Sequence, residues 1–271
     1  MTADHPDPAP HVPEGPVPSS EQGRRLLDLV KVMARLRGPG GCPWDREQTH
    51  ETLARHLLEE AHELLEAIDL GDSDAIRDEL GDLLLQVVFH AQMASDDGRW
   101  DVDDVARRLV EKLVHRHPHV FGDVEVSGAD EVLTNWERLK AEEAGGCSGV
   151  EDEIPATLPA LARAAKVQRR AAGWGVEWAS PDAAVASLRE EVAAMSGRSD
   201  EAEQEIGQIL FATVAAARKL GVDAESALRR TTRGFADRYE RFRAIAEERG
   251  LDLASIPEDE VHELFREARD M

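Results

Sequence analysis

The sequence predicts an all-α protein built as two tandem helical bundles, and three observations predict it. Apolar residues recur at three- and four-residue spacing along most of the chain, the period of a helix with one buried stripe, and no convincing alternating strand pattern appears. Aromatic residues make up 4% of the sequence, with a single Tyr, which argues against a β-sandwich or a stacking platform. A length of 271 residues, set against about 150 per domain, gives two domains as a prior and enough chain to bury a core without disulfide staples.

The elements follow in chain order. Residues 1–20 hold six of the 13 prolines and almost no apolar periodicity, and predict a disordered tail. Leu26, Leu29, Val30, Met33 and Leu36 define a first helix, which the run Gly38-Pro39-Gly40-Gly41-Cys42-Pro43 breaks. Leu53, Leu57, Ala61, Leu64 and Ile68 form the stripe of a second helix over residues 50–69. A short turn through Gly71 follows, with Asp72 or Ser73 as N-cap. The third helix, 74–95, contains Leu83-Leu84-Leu85-Gln86-Val87-Val88-Phe89, apolar nearly all round, and is predicted to sit centrally in its bundle. Val105, Leu109 and Leu113 mark a fourth helix over 101–116, and 131–143 reads as another. Beyond a small, acidic, Gly/Pro-marked stretch, helical patterns return at 158–172, 181–197, 200–220, 223–248 and 257–269. The predicted organisation is a tail at 1–20, a first domain at 21–143, a linker at 144–157 and a second domain at 158–271.

The two halves resemble each other. Glu79-Leu80-Gly81-Asp82-Leu83-Leu84-Leu85 aligns with Glu205-Ile206-Gly207-Gln208-Ile209-Leu210-Phe211, and the upstream pair Glu59-Glu60 with Glu190-Glu191. Glu60 precedes Glu79 by 79 − 60 = 19 residues, and Glu191 precedes Glu205 by 205 − 191 = 14, as a shorter turn in the second half would give. The expectation is an internal duplication of one helical unit.

Charge narrows the function. The balance of 32 basic and 55 acidic residues is −23, the wrong sign for non-specific binding to nucleic acid or an anionic membrane. An anionic substrate would need added positive charge, for which a divalent cation is the natural source. Cys42 and Cys147 lie far apart and in no CxxC pair, as expected of a reduced, cytoplasmic protein without a zinc framework. No run approaches 18 apolar residues, and no basic segment followed by an apolar one reads as a secretory signal.

The chemistry concentrates in acids. Glu60 and Glu63 stand i and i+3 on the second helix, and Glu79 and Asp82 stand i and i+3 on the third, so each pair shares one side of its helix. The short turn makes the helices antiparallel neighbours whose pairs can face each other. Glu60 sits about 60° from the stripe centred on Leu57, and Glu79 lies beside the most apolar run in the chain, so both acids are predicted to be partly buried. Carboxylates gathered in a bundle repel one another and resist desolvation. A hard cation with oxygen ligands relieves both, and Mg2+ commonly combines carboxylates, waters and substrate phosphates. The competing reading is a pair of solvated acidic faces, with Asp78 and Glu79 serving the helix dipole.

At these residues the sequence resembles the MazG-type nucleoside triphosphate pyrophosphohydrolases of the all-α NTP pyrophosphatase superfamily. The family pattern EExxE followed after a turn by ExxD is matched by Glu59-Glu60, Glu63, Glu79 and Asp82. The flanks at 41–49 and 116–123 match as well, and the similarity runs from about residue 24 to the end. The resemblance implies tandem MazG-like bundles of the four-helix type assembled as a homodimer. It implies hydrolysis of standard or damaged nucleoside triphosphates to the monophosphate and pyrophosphate, with Mg2+ as cofactor and Mn2+ as a substitute. Carried over, Glu60, Glu63, Glu79 and Asp82 are metal ligands, and Glu59, Glu60 and Glu63 are catalytic, with Glu59 ligating or orienting water.

The second half departs from this pattern. Ala194 stands where the third Glu belongs and Gln208 where the Asp belongs, so two of four ligands are lost and the second domain is expected to be catalytically silent, serving packing or regulation.

Several further residues have a functional and a structural reading. Lys112 and Arg116, one turn apart, are candidate phosphate contacts or a solvated basic face; Lys140, four residues after Trp136, is a weaker candidate. Trp44 either stacks on a base or fixes its loop. His115, His117 and His119 alternate as HxHxH, but Pro118 and the absence of cysteine partners favour a packing turn over zinc. Glu59 to His62 spells ExxH, and with His90 as a substitute for the missing second copy it allows a di-iron carboxylate protein as an alternative. A non-catalytic helical scaffold is the third alternative, suggested by the degenerate second half.

Overall fold

The computed structural model describes residues 23–128, 131–132, 135–136, 139, 149–152, 154–196, 198, 200–253 and 256–269. Among them no strand occurs, and the predicted all-α class holds. The chain divides into two compact units between Lys140 and Ala141.

In unit 1, α1 (Arg24–Arg37) ends at Gly38, whose N–H reaches Ala34 O at 2.9 Å. Gly41 is required there: a Cβ would lie 2.1 Å from Leu36 O, too close for any side chain. Pro43 then opens α2 (Pro43–Glu47), a short helix absent from the sequence reading because five residues carry no measurable period. Thr49 caps α3 (His50–Leu70) through a reciprocal pair with Thr52. At its other end Gly71 takes a left-handed φ of 70°, and its N–H and that of Asp72 bond back to Ile68 O and Ala67 O. The Asp72 carboxylate accepts from the Asp74 and Ala75 amides at 3.0 and 3.1 Å, so Asp72, not Ser73, caps α4 (Ser73–Asp96). This two-residue connection holds α3 and α4 side by side, and they are the most extensively packed pair in unit 1. An Asp101–Asp104 capping box starts α5 (Val102–Arg116), and α6 (Pro118–Phe121) follows. Glu131, Val132, Asn135, Trp136 and Leu139 are helical; the rest of the predicted 131–143 helix lies outside the described residues.

The core of unit 1 gathers Met33, Leu53, Val88, Phe89 and Met93, with Leu29, Val30, Leu36, Leu85 and Val102 against it. Arg37 closes one end, pairing with Asp96 at 2.6 Å and lying over the Phe89 ring. The enclosure differs from expectation. Leu80, Leu84 and Val87 on α4 are exposed, as are Val105, Leu109 and Leu113 on α5 and Leu57 and Ile68 on α3. An all-round apolar helix needs neighbours on every side; here α1 and α3 cover one side of α4, and α5 meets it over a small area.

In unit 2, α7 (Ala160–Gly173), α8 (Pro181–Ala194), α9 (Ala202–Lys219), α10 (Ala224–Glu248) and α11 (Glu258–Glu267) follow the predicted spans closely. Helices α8 and α9 are its most extensively packed pair, α9 also meets α7, and α10 packs on α7 and α11. Ala212, Val214, Ala215 and Ala216 of α9 are buried, and Phe242, Ile245, Leu264 and Ala268 join α10 to α11. Among the described residues no helix is long and apolar enough to cross a membrane.

Candidate metal centre

The turn at Gly71–Asp72 brings the acidic faces of α3 and α4 together. One carboxylate oxygen from each of Glu60, Glu79 and Asp82 falls within 4.8 Å of the others. Glu60 and Glu79 are half-buried at the helix interface, while Asp82 is exposed. Glu79 Oε2 is shut off from solvent and accepts no hydrogen bond. A carboxylate oxygen left in this state destabilises the metal-free fold and is relieved by any group that donates to it or carries positive charge.

The electrostatics agree with the geometry. Burial, then the charges of Asp82, Glu63, Glu79 and Glu59, pushes the Glu60 carboxyl above its ordinary value of 4.5. Burial, then Glu63, Asp82 and Asp78, pushes Glu79 the same way. Glu63 thus lies outside the 4.8 Å group but near enough for its charge to act on two of its members.

Glu59 is turned elsewhere: His56 Nδ1 lies 3.0 Å from Glu59 Oε2, and the His56 ring meets Trp44 edge-on at 6.3 Å. Sequence reasoning missed His56; its i,i+3 relation to Glu59 was the signal available. Trp44 is half exposed and also meets Phe89 edge-on, so one side of the indole fixes the loop and the other stays open. Lys112 is exposed on α5, and the Arg116 guanidinium lies 5.2 Å from the Trp136 ring. Lys140 lies outside the described residues.

The alternative ligands do not converge. His90 Nδ1 faces His50 Nδ1 at 2.7 Å with the rings stacked, so this histidine is directed to α3's first turn. His117 and His119 lie ring to ring at 5.6 Å, and His117 Nδ1 meets Leu113 O. Neither set joins a metal-competent group among the described residues. In unit 2 Glu191 is half-buried, Glu205 Oε1 accepts from Ser196 N at 2.9 Å, and no comparable acidic group forms among the described residues.

An all-oxygen donor set of three carboxylates, one of them Glu79 with an unpartnered buried oxygen, fits a hard divalent cation such as Mg2+. Glu60, Glu79 and Asp82 would hold it.

Fold and site together define a class: all-α bundle proteins whose adjacent helices present a carboxylate centre. A family model, the MazG nucleotide pyrophosphohydrolase domain, matches residues 48–121. The chain is 42% identical over 252 residues to a Thermotoga maritima protein named nucleoside triphosphate pyrophosphohydrolase/pyrophosphatase MazG, covering 92% of this chain and 97% of the relative. It is 41% identical over 251 residues to the Escherichia coli nucleoside triphosphate pyrophosphohydrolase, covering 89% and 95%. To the Mycobacterium tuberculosis protein of that name it is 47% identical over 156 residues, covering 57% and 47%. The chain belongs to the MazG nucleoside triphosphate pyrophosphohydrolase family.

Proposed function

We propose that this chain hydrolyses nucleoside triphosphates, standard or damaged, to the monophosphate and pyrophosphate, in the cytoplasm and without a nucleic-acid or membrane partner. The observation that carries the reading is the convergence of Glu60, Glu79 and Asp82, with one buried Glu79 oxygen left unpartnered. Glu63, one turn from Glu60, completes the ligand set. Bound there, Mg2+ or Mn2+ would neutralise phosphate charge and polarise the anhydride.

The protein's own groups do the rest. One of two carboxylates takes the proton of the attacking water: Glu63, whose charge reaches both Glu60 and Glu79, or Glu59, through the oxygen that His56 leaves unpaired. Water adds to one of the two phosphorus atoms of the α–β anhydride, the bridging bond breaks, and the monophosphate and pyrophosphate separate. The open side of Trp44 receives the base, and Lys112, Arg116 and Lys140 serve the phosphates. The unit duplication, with unit 2 catalytically silent, belongs to the same proposal. So does a homodimer, which the uncovered apolar faces of α4 and α5 support.

Pyrophosphate release from a panel of nucleoside triphosphates, coupled to inorganic pyrophosphatase in its own Mg2+-containing second step, tests the reading. Wild type should turn over at least one triphosphate with Mg2+ and none in EDTA. Glu60→Gln and Asp82→Asn should each lose about 100-fold or more, as loss of a metal-held transition-state contact predicts. Absence of turnover with every nucleotide overturns it.

A further inference from the structure

Unit 2 opens a cavity of about 380 Å³ at the place that corresponds to the carboxylate centre of unit 1. Its walls are Trp178, Ser187, Glu191, Gln204, Gln208 and Phe211. In the internal alignment Glu191 corresponds to Glu60 and Gln208 to Asp82, while Ser187 replaces the larger His56. Gly207, the counterpart of Gly81, also lines it; a Cβ built on it meets nothing within 4 Å, so the glycine leaves open space in the middle of a helix.

The lining chemistry excludes the ligand of the first unit. Among the described residues Glu191 is the one ionisable side chain lining the cavity and no cation lines it, so a triphosphate without metal would find no compensating positive charge there. With Ala194 and Gln208 in place of two carboxylates, a metal is held poorly. What remains suits a neutral, planar, polar-edged molecule. Trp178 and Phe211 supply aromatic surface, and the Gln204 and Gln208 amides each donate and accept. Ser187 does both on a small scale, and Glu191 accepts from an amino group. Paired donor and acceptor edges of this kind read nucleobases, and the volume lies within the about 300–1,000 Å³ of small-molecule sites.

We propose that the cavity of unit 2 is a metal-independent binding site for an uncharged nucleoside, retained after the carboxylate centre was lost. The choice of ligand class rests on the nucleotide reading of unit 1; the cavity itself does not.

Calorimetric titration of the full chain in EDTA with adenosine, guanosine, cytidine and uridine tests it. At least one nucleoside should bind saturably, one per chain, at millimolar concentration or below. Gly207→Ala adds a methyl group to the lining while favouring the helix, so it should keep or raise Tm and weaken binding about tenfold or more. Gln208→Leu should weaken it likewise, and Trp178→Phe should remove the accompanying fluorescence change. A Glu60→Gln/Asp82→Asn double variant should bind as wild type does. No heat from any nucleoside overturns the proposal, as does binding that needs Mg2+, binding lost in the double variant, or binding that survives both Gly207→Ala and Gln208→Leu. Pyrophosphate release on the same preparations separates the two readings. Nucleoside binding without turnover removes the hydrolase and leaves this site; turnover without nucleoside binding removes this site alone.

Discussion

Glu79 sets the balance of charge in unit 1, because its buried oxygen has no partner and its neighbours are other acids. Both it and Glu60 titrate above 4.5 in the metal-free protein, so above that pH the folded state holds more protons than the unfolded one. By linkage, their contribution to stability then falls as pH rises through the window above 4.5, the reverse of a salt-bridged acid. A cation needs the ionised carboxylates and reverses that trend. The stabilisation by Mg2+, measured as Tm with Mg2+ minus Tm in EDTA, should therefore be small near about pH 5 and large near about pH 8. A difference independent of pH would argue against Glu60 and Glu79 as ligands. Glu79→Gln separates structure from function: metal-free Tm should rise, because a repelling charge goes, while pyrophosphate release falls. At this scale the i,i+3 spacing of both acid pairs was legible, because a helix fixes which residues share a side. The Glu59–His56 pair was legible on the same ground and was passed over, whereas the edge of Trp44 on His56 was not legible, because it joins residues of two different helices.

Elements were legible where period and punctuation agreed. The predicted 50–69 and 74–95 helices differ from α3 and α4 by a residue or so at their ends, since Thr49, Gly71 and Asp72 mark the ends chemically. The buried face of α4 was not legible: a helix apolar nearly all round names no preferred side, and tertiary packing chose Gln86, Val88, Phe89 and Met93 over Leu80, Leu84 and Val87. The turn that joins α3 to α4 also sets the acid pairs opposite each other, so its chemistry should matter twice. Asp72→Ala removes the cap on two amides and should cost about 0.5–2 kcal/mol in a urea melt. It should also lower turnover, since fraying the first turn of α4 loosens Glu79 less than two turns away. Stability lost with turnover untouched would show that the centre does not depend on this turn.

For the whole molecule, a charge of −23 opposes self-association while the uncovered apolar faces favour it. Leu80, Leu84 and Val87 recur at helical spacing on α4, and Leu109 and Leu113 do so on α5, which is the pattern of a face covered by another helix. Ile206 and Leu210, which the proposed duplication aligns with Leu80 and Leu84, are exposed in unit 2 as well. A closed two-fold dimer buries the same patch twice and leaves no free face for further growth. Sedimentation equilibrium should give twice the 29.8 kDa chain mass. Since screening weakens the repulsion between two acidic chains but not apolar burial, added salt should tighten the dimer, opposite to an interface held by ion pairs. Leu84→Glu places a charge at the centre of the α4 face, where an unpaired buried carboxylate costs several kcal/mol, and should shift the chain to monomer. Because Leu84 is already exposed in the single chain, the helical circular dichroism of that variant should stay near wild type. A wild-type chain that sediments at its own mass would leave those faces in water and sink the dimer.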